Sequence, residues 1–198
     1  MNIARTQKRI DQIVTAATQC IVENGYDNLT MQRISEYSGL SRGAINHYFK
    51  TKQDILVAVL NALDKQLFNM VDTEVRKASQ VEDHMRLRIS LTLSAAKEDP
   101  VFIYLTTDFL ALAMNNSVHG EGIRKFLRKY RHLSSLGLKP GFTNGKYRKV
   151  DPESIGAIVM AAILGIGIQW ILDKGSFNYD DVAKTAEDMI MFYLQKKE

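Results

Sequence analysis

The chemistry suggested by this sequence is concentrated between residues 41 and 52. The side chains there are hydrogen-bonding or cationic: Ser41, Arg42, Asn46, His47, Tyr48, Lys50 and Lys52. Groups of this kind reach base edges in the major groove of DNA, and cations neutralise its phosphates. Gly43, in the same run, lets a backbone come close to its ligand. The run therefore predicts a surface that reads double-stranded DNA.

The flanking residues predict the elements that would hold this run. Thr30 and Ser41 are good N-caps for two short helices, and Gly39 between them suits a tight turn with positive φ. Thr51 begins a further helix, with Asp54 three residues later completing a capping box. The apolar residues suit the inside of the corner: Ile34, Leu40, Ile45 and Phe49. The pattern predicts a helix-turn-helix, and an ordinary corner in a helical bundle is the alternative.

The first 55 residues resemble the DNA-binding domain of the TetR family of transcriptional regulators. The residues that carry the resemblance follow one unbroken order: Ile13, Ala17, Ile21, Gly25, Tyr26, Thr30, Ile34, Gly39, Leu40, Ser41, Gly43, Phe49 and Lys52. The chain departs from the family at Asn46, where an aromatic residue is usual, and at Ser35 and Ser38, where alanines are usual. The resemblance implies a homodimer that places the third helix of each chain in the major groove.

Individual roles follow from this resemblance. Three residues are expected to hold phosphates: Thr30, Lys52 and, through its hydroxyl, Tyr48. Three others are candidates for base edges: Arg42, Asn46 and His47. Ser41 and Gly43 complete the predicted DNA-binding set, on a reading helix at about 41–48. Two such helices would read a pseudo-palindromic operator. The resemblance also implies a repressor that a small-molecule effector releases from this operator.

Composition and charge fit this interpretation. The chain has 198 residues, of which 45% are hydrophobic, and only three prolines. Its net charge is +4, and residues 1–52 carry +3 of it, from seven basic and four acidic side chains. A basic excess at the DNA-reading end is the electrostatic footprint of a nucleic-acid partner.

The single cysteine, Cys20, excludes an internal disulfide and lies on the apolar stripe of the first predicted helix. We expect a buried, inert thiol rather than a redox site. The first nine residues lack an apolar signal region. Both features predict a cytoplasmic protein.

Helix start and stop signals predict an all-α chain of about nine helices. We expect a helix-turn-helix DNA-binding domain at 1–52 and an effector-binding and dimerisation domain at 53–198. The helices outside the corner are expected at about 6–24, 51–78, 81–98, 100–116, 120–135, 152–174 and 180–195. Asp99-Pro100 and Asp151-Pro152 should each start a helix, with aspartate as cap and proline in the first helical position. Residues 136–149, with three glycines and a proline, predict a long loop.

Residues 155–172 contain no charged side chain over 18 positions. A membrane-spanning helix is one interpretation, at the lower limit of length. Burial against a partner chain is the other, since an all-round apolar helix must be covered on every side. Ala157, Ala161 and Gly165 lie four apart on one face and would let a neighbouring helix approach closely. In the resembled family the last two helices of each chain form a four-helix bundle, which predicts a homodimer and no membrane partner.

The remaining motifs carry less information. The four histidines have no metal-ligand spacing and no nucleophile motif is present, so no metal, cofactor or enzymatic activity is predicted. The alternative is a small helical ligand-binding protein or enzyme. The resembled family holds its effector between helices of the second domain. Candidate contacts here are Tyr104, Asp108 and Trp170, with solvent exposure or core packing as the alternatives.

Residues 124–149 hold nine basic and no acidic side chains. They predict a solvated helix face followed by a basic loop. An accessory DNA contact and attraction of an anionic effector remain open alternatives.

Overall fold

The computed structural model describes residues 3–78, 83–115 and 120–196. Within them the chain forms helices and a single isolated backbone bridge. The helices are α1 (Ile3–Asn24), α2 (Met31–Ser38), α3 (Arg42–Tyr48), α4 (Lys52–Lys77), α5 (His84–Glu98), α6 (Val101–Asn115), α7 (Gly120–Ser135), α8 (Leu138–Thr143), α9 (Pro152–Leu172) and α10 (Tyr179–Leu194). The predicted all-α class is confirmed. The described residues hold ten helices, one more than the expected number.

The chain divides into two compact units. The first combines Met1–Leu63 with Leu105–Phe126, and the second combines Asp64–Tyr104 with Leu127–Glu198. The division of function expected at residue 52 stays a prediction.

The first unit is built around the corner between α1, α2 and α3. Its core includes side chains with no more than 1% of their surface exposed: Ile13, Ala17, Cys20, Leu29, Ile34, Ile45, Ile55 and Leu56. The predicted burial of the thiol is confirmed, and desolvation raises the pKa of Cys20. A buried thiol with a raised pKa is a small apolar group, not a reactive nucleophile.

Each predicted cap around the corner is present. The Thr30 hydroxyl accepts a hydrogen bond from the Arg33 amide at 3.1 Å, and Gly39 ends α2 with a φ of 66°. The Ser41 hydroxyl accepts from the Ala44 amide at 3.2 Å. Thr51 and Asp54 form a reciprocal capping box, with hydrogen bonds of 2.9 and 3.1 Å. Thr30 and Gly39 thus fix both ends of α2, which is too short to be stable alone. Ser41 fixes the start of α3, and the capping box fixes the start of α4.

The second unit packs α5 against α9 and α10. Its core includes large apolar side chains from all three helices: Met85, Ile89, Leu93, Ile155, Val159, Ile163, Ile190 and Leu194. The Tyr179 hydroxyl donates to the Leu93 carbonyl at 2.8 Å, and Arg86 forms an ion pair with the buried Glu187. Hydrogen-bonded polar groups thus join α5 to α10 around the apolar contacts.

Helix α9 is long and apolar enough to cross a bilayer, by length and composition alone. The Asp151 carboxylate caps it, accepting from the amides of Glu153 and Ser154, and Pro152 is its first residue, as predicted. Seven of its residues are buried in this chain: Ile155, Gly156, Val159, Met160, Ile163, Ile166 and Gly167. Ala157, Ile158 and Ala161 are exposed on α9. One face of the helix therefore serves as core, and another is left uncovered.

Two sequence-based predictions need correction. Residues 136–149 are not one long loop, because α8 occupies Leu138–Thr143 and Tyr147 pairs with Gln195. Pro140 sits in the first turn of α8, where an amide proton is not needed, and the missing side chain of Gly141 makes room for the Tyr147 ring. Helix α6 begins at Val101, so Pro100 precedes the helix instead of opening it.

We expect Gly156→Ala to destabilise the protein by about 1–3 kcal/mol, because the added Cβ would overlap the Arg131 carbonyl oxygen. Backbone atoms cannot move aside as a flexible side chain can. Gly43→Ala is the matched control, because the added Cβ would meet only the Ser41 Oγ, at 4.0 Å. Alanine is favoured over glycine within a helix, so this substitution should stabilise the protein by about 0.5–1 kcal/mol. Urea unfolding measures both. Equal stabilities for the two variants would contradict this packing of α9 on α7.

Candidate nucleic-acid interface and ligand pocket

Helix α3 presents its polar side chains outward. Ile45 is fully buried, while five neighbouring positions are exposed: Ser41, Arg42, Gly43, Asn46 and His47. Tyr48 is half-buried, and its ring meets the His47 ring edge-on with centroids 5.1 Å apart. Arg42 forms no ion pair within the residues that the structure describes. An exposed guanidinium and amide on one short helix can make bidentate hydrogen bonds to bases.

The predicted phosphate contacts lie at helix ends around α3. Thr30 is exposed at the start of α2, and Lys52 is half-buried at the start of α4. The Lys52 ammonium lies 4.0 Å above the centre of the Tyr26 ring. Burial lowers the pKa of Lys52, and the nearby Asp27 opposes that shift. The ring restricts this lysine, so its charge is held at a defined place beside the corner.

The second unit contains a pocket between α4, α5, α7 and α9. Its walls are mainly apolar, and its lining residues are Asp64, Leu67, Phe68, Val71, Arg88, Ile89, Thr92, Tyr130, Leu133 and Val159. Its cavity volume is about 40 Å³, and about 430 Å³ of space lies between atoms when the open mouth is counted. An apolar pocket with a few polar groups is the usual form of a small-molecule site.

One polar atom of this pocket, the Nε of Arg88, is buried without a hydrogen-bond partner among the described residues. Asp64 is 3% exposed, and the Lys129 ammonium lies 2.7 Å from it, so its charge is balanced. Arg88 forms an ion pair with Asp72. Burial and the nearby Asp64 raise the pKa of the Tyr130 hydroxyl. An unsatisfied buried polar atom is costly, and a ligand that accepts a hydrogen bond from the Arg88 Nε would recover that cost.

The effector contacts expected from the sequence lie elsewhere. Tyr104 is 50% exposed on α6, and Asp108 is exposed one turn later. Partial burial and Asp27 raise the pKa of Asp108. Trp170 packs edge-on against the Tyr179 ring, with centroids 5.4 Å apart. None of these three lines the pocket described above, and their role in binding an effector stays a prediction.

No sequence pattern pointed directly to the pocket residues. They come from four helices, and the polar members on different helices are more than twenty residues apart along the chain. The one available clue is Asp64, a carboxylate on the apolar stripe of α4, where its burial needs a counter-charge.

At least four of the nine basic side chains at 124–149 make contacts within the chain. Arg124 pairs with Glu121, Lys129 with Asp64, and Arg131 with Glu153. The Arg148 guanidinium lies 3.4 Å from the centre of the Tyr193 ring. These contacts fit a structural and solvated basic surface, and the choice between that interpretation and the two ligand-binding alternatives stays a prediction.

Comparison with known proteins matches both parts of the chain. Residues 13–59 match the family of bacterial regulatory proteins called the tetR family. The transcriptional repressor AcnR of Corynebacterium efficiens is 36% identical over 135 residues, covering 63% of this chain and 68% of AcnR. The fatty acid metabolism regulator protein of Bacillus subtilis is 21% identical over 187 residues, covering 94% of this chain and 95% of that protein.

The fold is also similar to solved structures. The transcriptional regulator FadR from Bacillus subtilis, in complex with stearoyl-CoA, aligns with a TM-score of 0.73 at 21% identity. That alignment covers 93% of this chain and 98% of FadR. With the family match at the corner and the AcnR similarity beyond it, the chain belongs to the TetR family of bacterial transcriptional regulators.

Proposed function

We propose that this regulator is a homodimeric repressor that reads a pseudo-palindromic operator through α3 and leaves it when a small molecule binds. The observation that carries the proposal is the arrangement of α3, with Ile45 buried beneath it and the polar side chains facing outward. A helix held this way can enter the major groove without rearrangement. Because the proposed target is chromosomal DNA, we expect the protein in the cytoplasm.

The contacts with DNA divide by chemistry. Arg42, Asn46 and His47 carry donors and acceptors suited to base edges. The phosphates are held by Thr30, Lys52 and the Tyr48 hydroxyl, which lie at helix ends. Ser41 and the side-chain-free Gly43 bring the start of α3 close to the DNA backbone. Base contacts set sequence preference, and phosphate contacts supply most of the salt-dependent affinity.

An exposed apolar surface on α9 and α10 supports the dimer. Ile158 is 50% exposed, Met189 67% and Phe192 72%. The groove between the two helices is lined almost wholly by apolar side chains: Ile155, Ile158, Ala162, Ala186, Met189, Ile190 and Tyr193. Water-exposed patches of this kind mark association surfaces. A second copy of the same pair of helices would cover it by two-fold symmetry, in place of a lipid surface.

The pocket between α4, α5, α7 and α9 is the proposed effector site. Apolar walls suit a lipophilic body, and the Nε of Arg88 offers a hydrogen-bond donor for its head. The effector would shift the dimer toward a state whose two reading helices no longer match the operator. Because the similar Bacillus subtilis FadR holds stearoyl-CoA, that molecule is the first probe.

Selection from random duplexes tests the DNA-binding role. The full-length protein should enrich an inverted repeat, and two chains should bind each selected duplex. Ala161→Arg places an unpaired charge on the exposed face of α9, where desolvation in the dimer would be costly. We expect a folded monomer that has lost affinity for the selected duplex.

Ala62→Arg is the control, since Ala62 is exposed on α4. It should remain dimeric and bind as the unmodified protein does. Sedimentation velocity and fluorescence anisotropy give the two readouts. A dimeric Ala161→Arg protein with unchanged affinity would place the interface elsewhere.

Thr92→Trp should fill the proposed effector site. Thr92 lines the pocket, whereas Thr73 is exposed on α4, and both hydroxyls donate to the carbonyl four residues earlier. We expect stearoyl-CoA to release the unmodified protein and the Thr73→Trp control from the selected duplex. The Thr92→Trp protein should bind the duplex with unchanged affinity and stay bound when stearoyl-CoA is added. Release of all three proteins alike would locate the effector site outside this pocket, and release of none would exclude stearoyl-CoA as effector.

A further inference from the structure

The first turns of α1 carry three cations that have no role in the helix-turn-helix itself. Arg5 and Lys8 are exposed and Arg9 is half-buried. With Gln12 they line a shallow groove on the first unit. None of the three pairs with a carboxylate within the described part of the chain. Three unpaired positive charges on one helix end form a local surface suited to an anion.

Arg9 is tied to the helix corner through Gln12. The Arg9 Nη1 donates to the Gln12 Oε1 at 2.9 Å, and the Gln12 Nε2 donates to the Ser38 carbonyl at 2.7 Å. Ser38 is the last residue of α2, and the turn at Gly39 leads directly into α3. A two-bond chain therefore holds the Arg9 guanidinium at a set distance from the start of the reading helix.

The partner that orients Arg9 is neutral. A carboxylate in place of the Gln12 amide would also hold the guanidinium, but the negative charge of the carboxylate would neutralise the positive charge of Arg9. The amide orients the side chain and leaves the positive charge available. A guanidinium has five donors in a fixed plane and binds phosphate oxygens in pairs, so an oriented one loses little side-chain entropy on binding.

We propose that Arg9, positioned by Gln12, binds a phosphate of the DNA backbone next to the half-site that α3 reads. Arg5 and Lys8 add unspecific attraction on the same side of the helix. The proposal rests on the DNA-binding role proposed above and adds a contact outside the helix-turn-helix. Gln12 acts only through Arg9 and is a positioning residue.

The expected effect follows from counterion release. Each phosphate contact contributes about 0.9 to the slope of log affinity against log salt. A dimer loses two contacts when Arg9 is replaced, so the slope should fall by about 2 per dimer. The loss should be the same on the selected operator and on an unrelated duplex, because a phosphate carries no base identity.

The experiment compares Arg9→Gln, Gln12→Ala and the double variant with the unmodified full-length protein, by anisotropy at several salt concentrations. Arg9→Gln should lower the slope by about 2, and Gln12→Ala by a smaller amount. The double variant should match Arg9→Gln alone, since Gln12 has nothing left to position. Arg76→Gln, which removes an exposed guanidinium from α4, is the matched control and should leave the slope unchanged.

Each contrary result has a distinct meaning. An unchanged slope for Arg9→Gln overturns the phosphate contact while leaving DNA binding intact. Additive losses in the double variant overturn the positioning role of Gln12. A loss confined to one duplex sequence would mean that Arg9 reads a base instead. Failure of the unmodified protein to bind any selected duplex would refute the DNA-binding role itself, and this contact with it. Urea unfolding of each variant separates these outcomes from a loss of fold.

Discussion

The burial of Ile34 and Ile45 in the corner between α2 and α3 is the constraint on which the DNA-facing surface depends. Both side chains are completely covered, and an apolar side chain of this size contributes about 1.5–3 kcal/mol when buried. Helix α3 has seven residues, too few to be stable in water without such anchoring. The anchor fixes the rotation of the helix about its axis. That rotation decides that Arg42 and Asn46 point outward. The packing of the core therefore also determines which side chains are available for the proposed base contacts.

Helix α9 in the second unit also has two different faces. Helix α9 buries one face against α5 and α10, and Gly156 lets its backbone approach Arg131. Its other face, with Ile158 and Ala161, stays apolar and uncovered. An apolar residue on such a face costs free energy in water, and a symmetric partner removes that cost. Dimerisation would give two reading helices from a single sequence, which is what an inverted repeat in DNA requires.

Features set by neighbouring residues were predictable from the sequence, and features set by distant residues were not. The caps at Thr30, Ser41 and Thr51 act within three residues, so their spacing alone identified them. Helix α8 escaped prediction because it is one and a half turns long and contains proline and glycine, which usually end helices. The pocket joins four helices, and the link from Gln12 to the Ser38 carbonyl spans 26 residues. Sequence periodicity does not reveal these long-range contacts, because they depend on how the helices pack against one another.

The most direct measurement of the central claim is affinity cleavage of the selected duplex. Lys50 is exposed just beyond α3, and Cys20 is buried, so Lys50→Cys offers one site for an iron–EDTA reagent. A dimer that inserts α3 into the major groove should cut the duplex in two symmetry-related patches. Their centres should lie roughly 34–36 Å apart along the helix axis, or a multiple of that distance. A single patch, or cleavage spread evenly along the duplex, would contradict the claim that this corner holds α3 as the reading helix of a symmetric dimer.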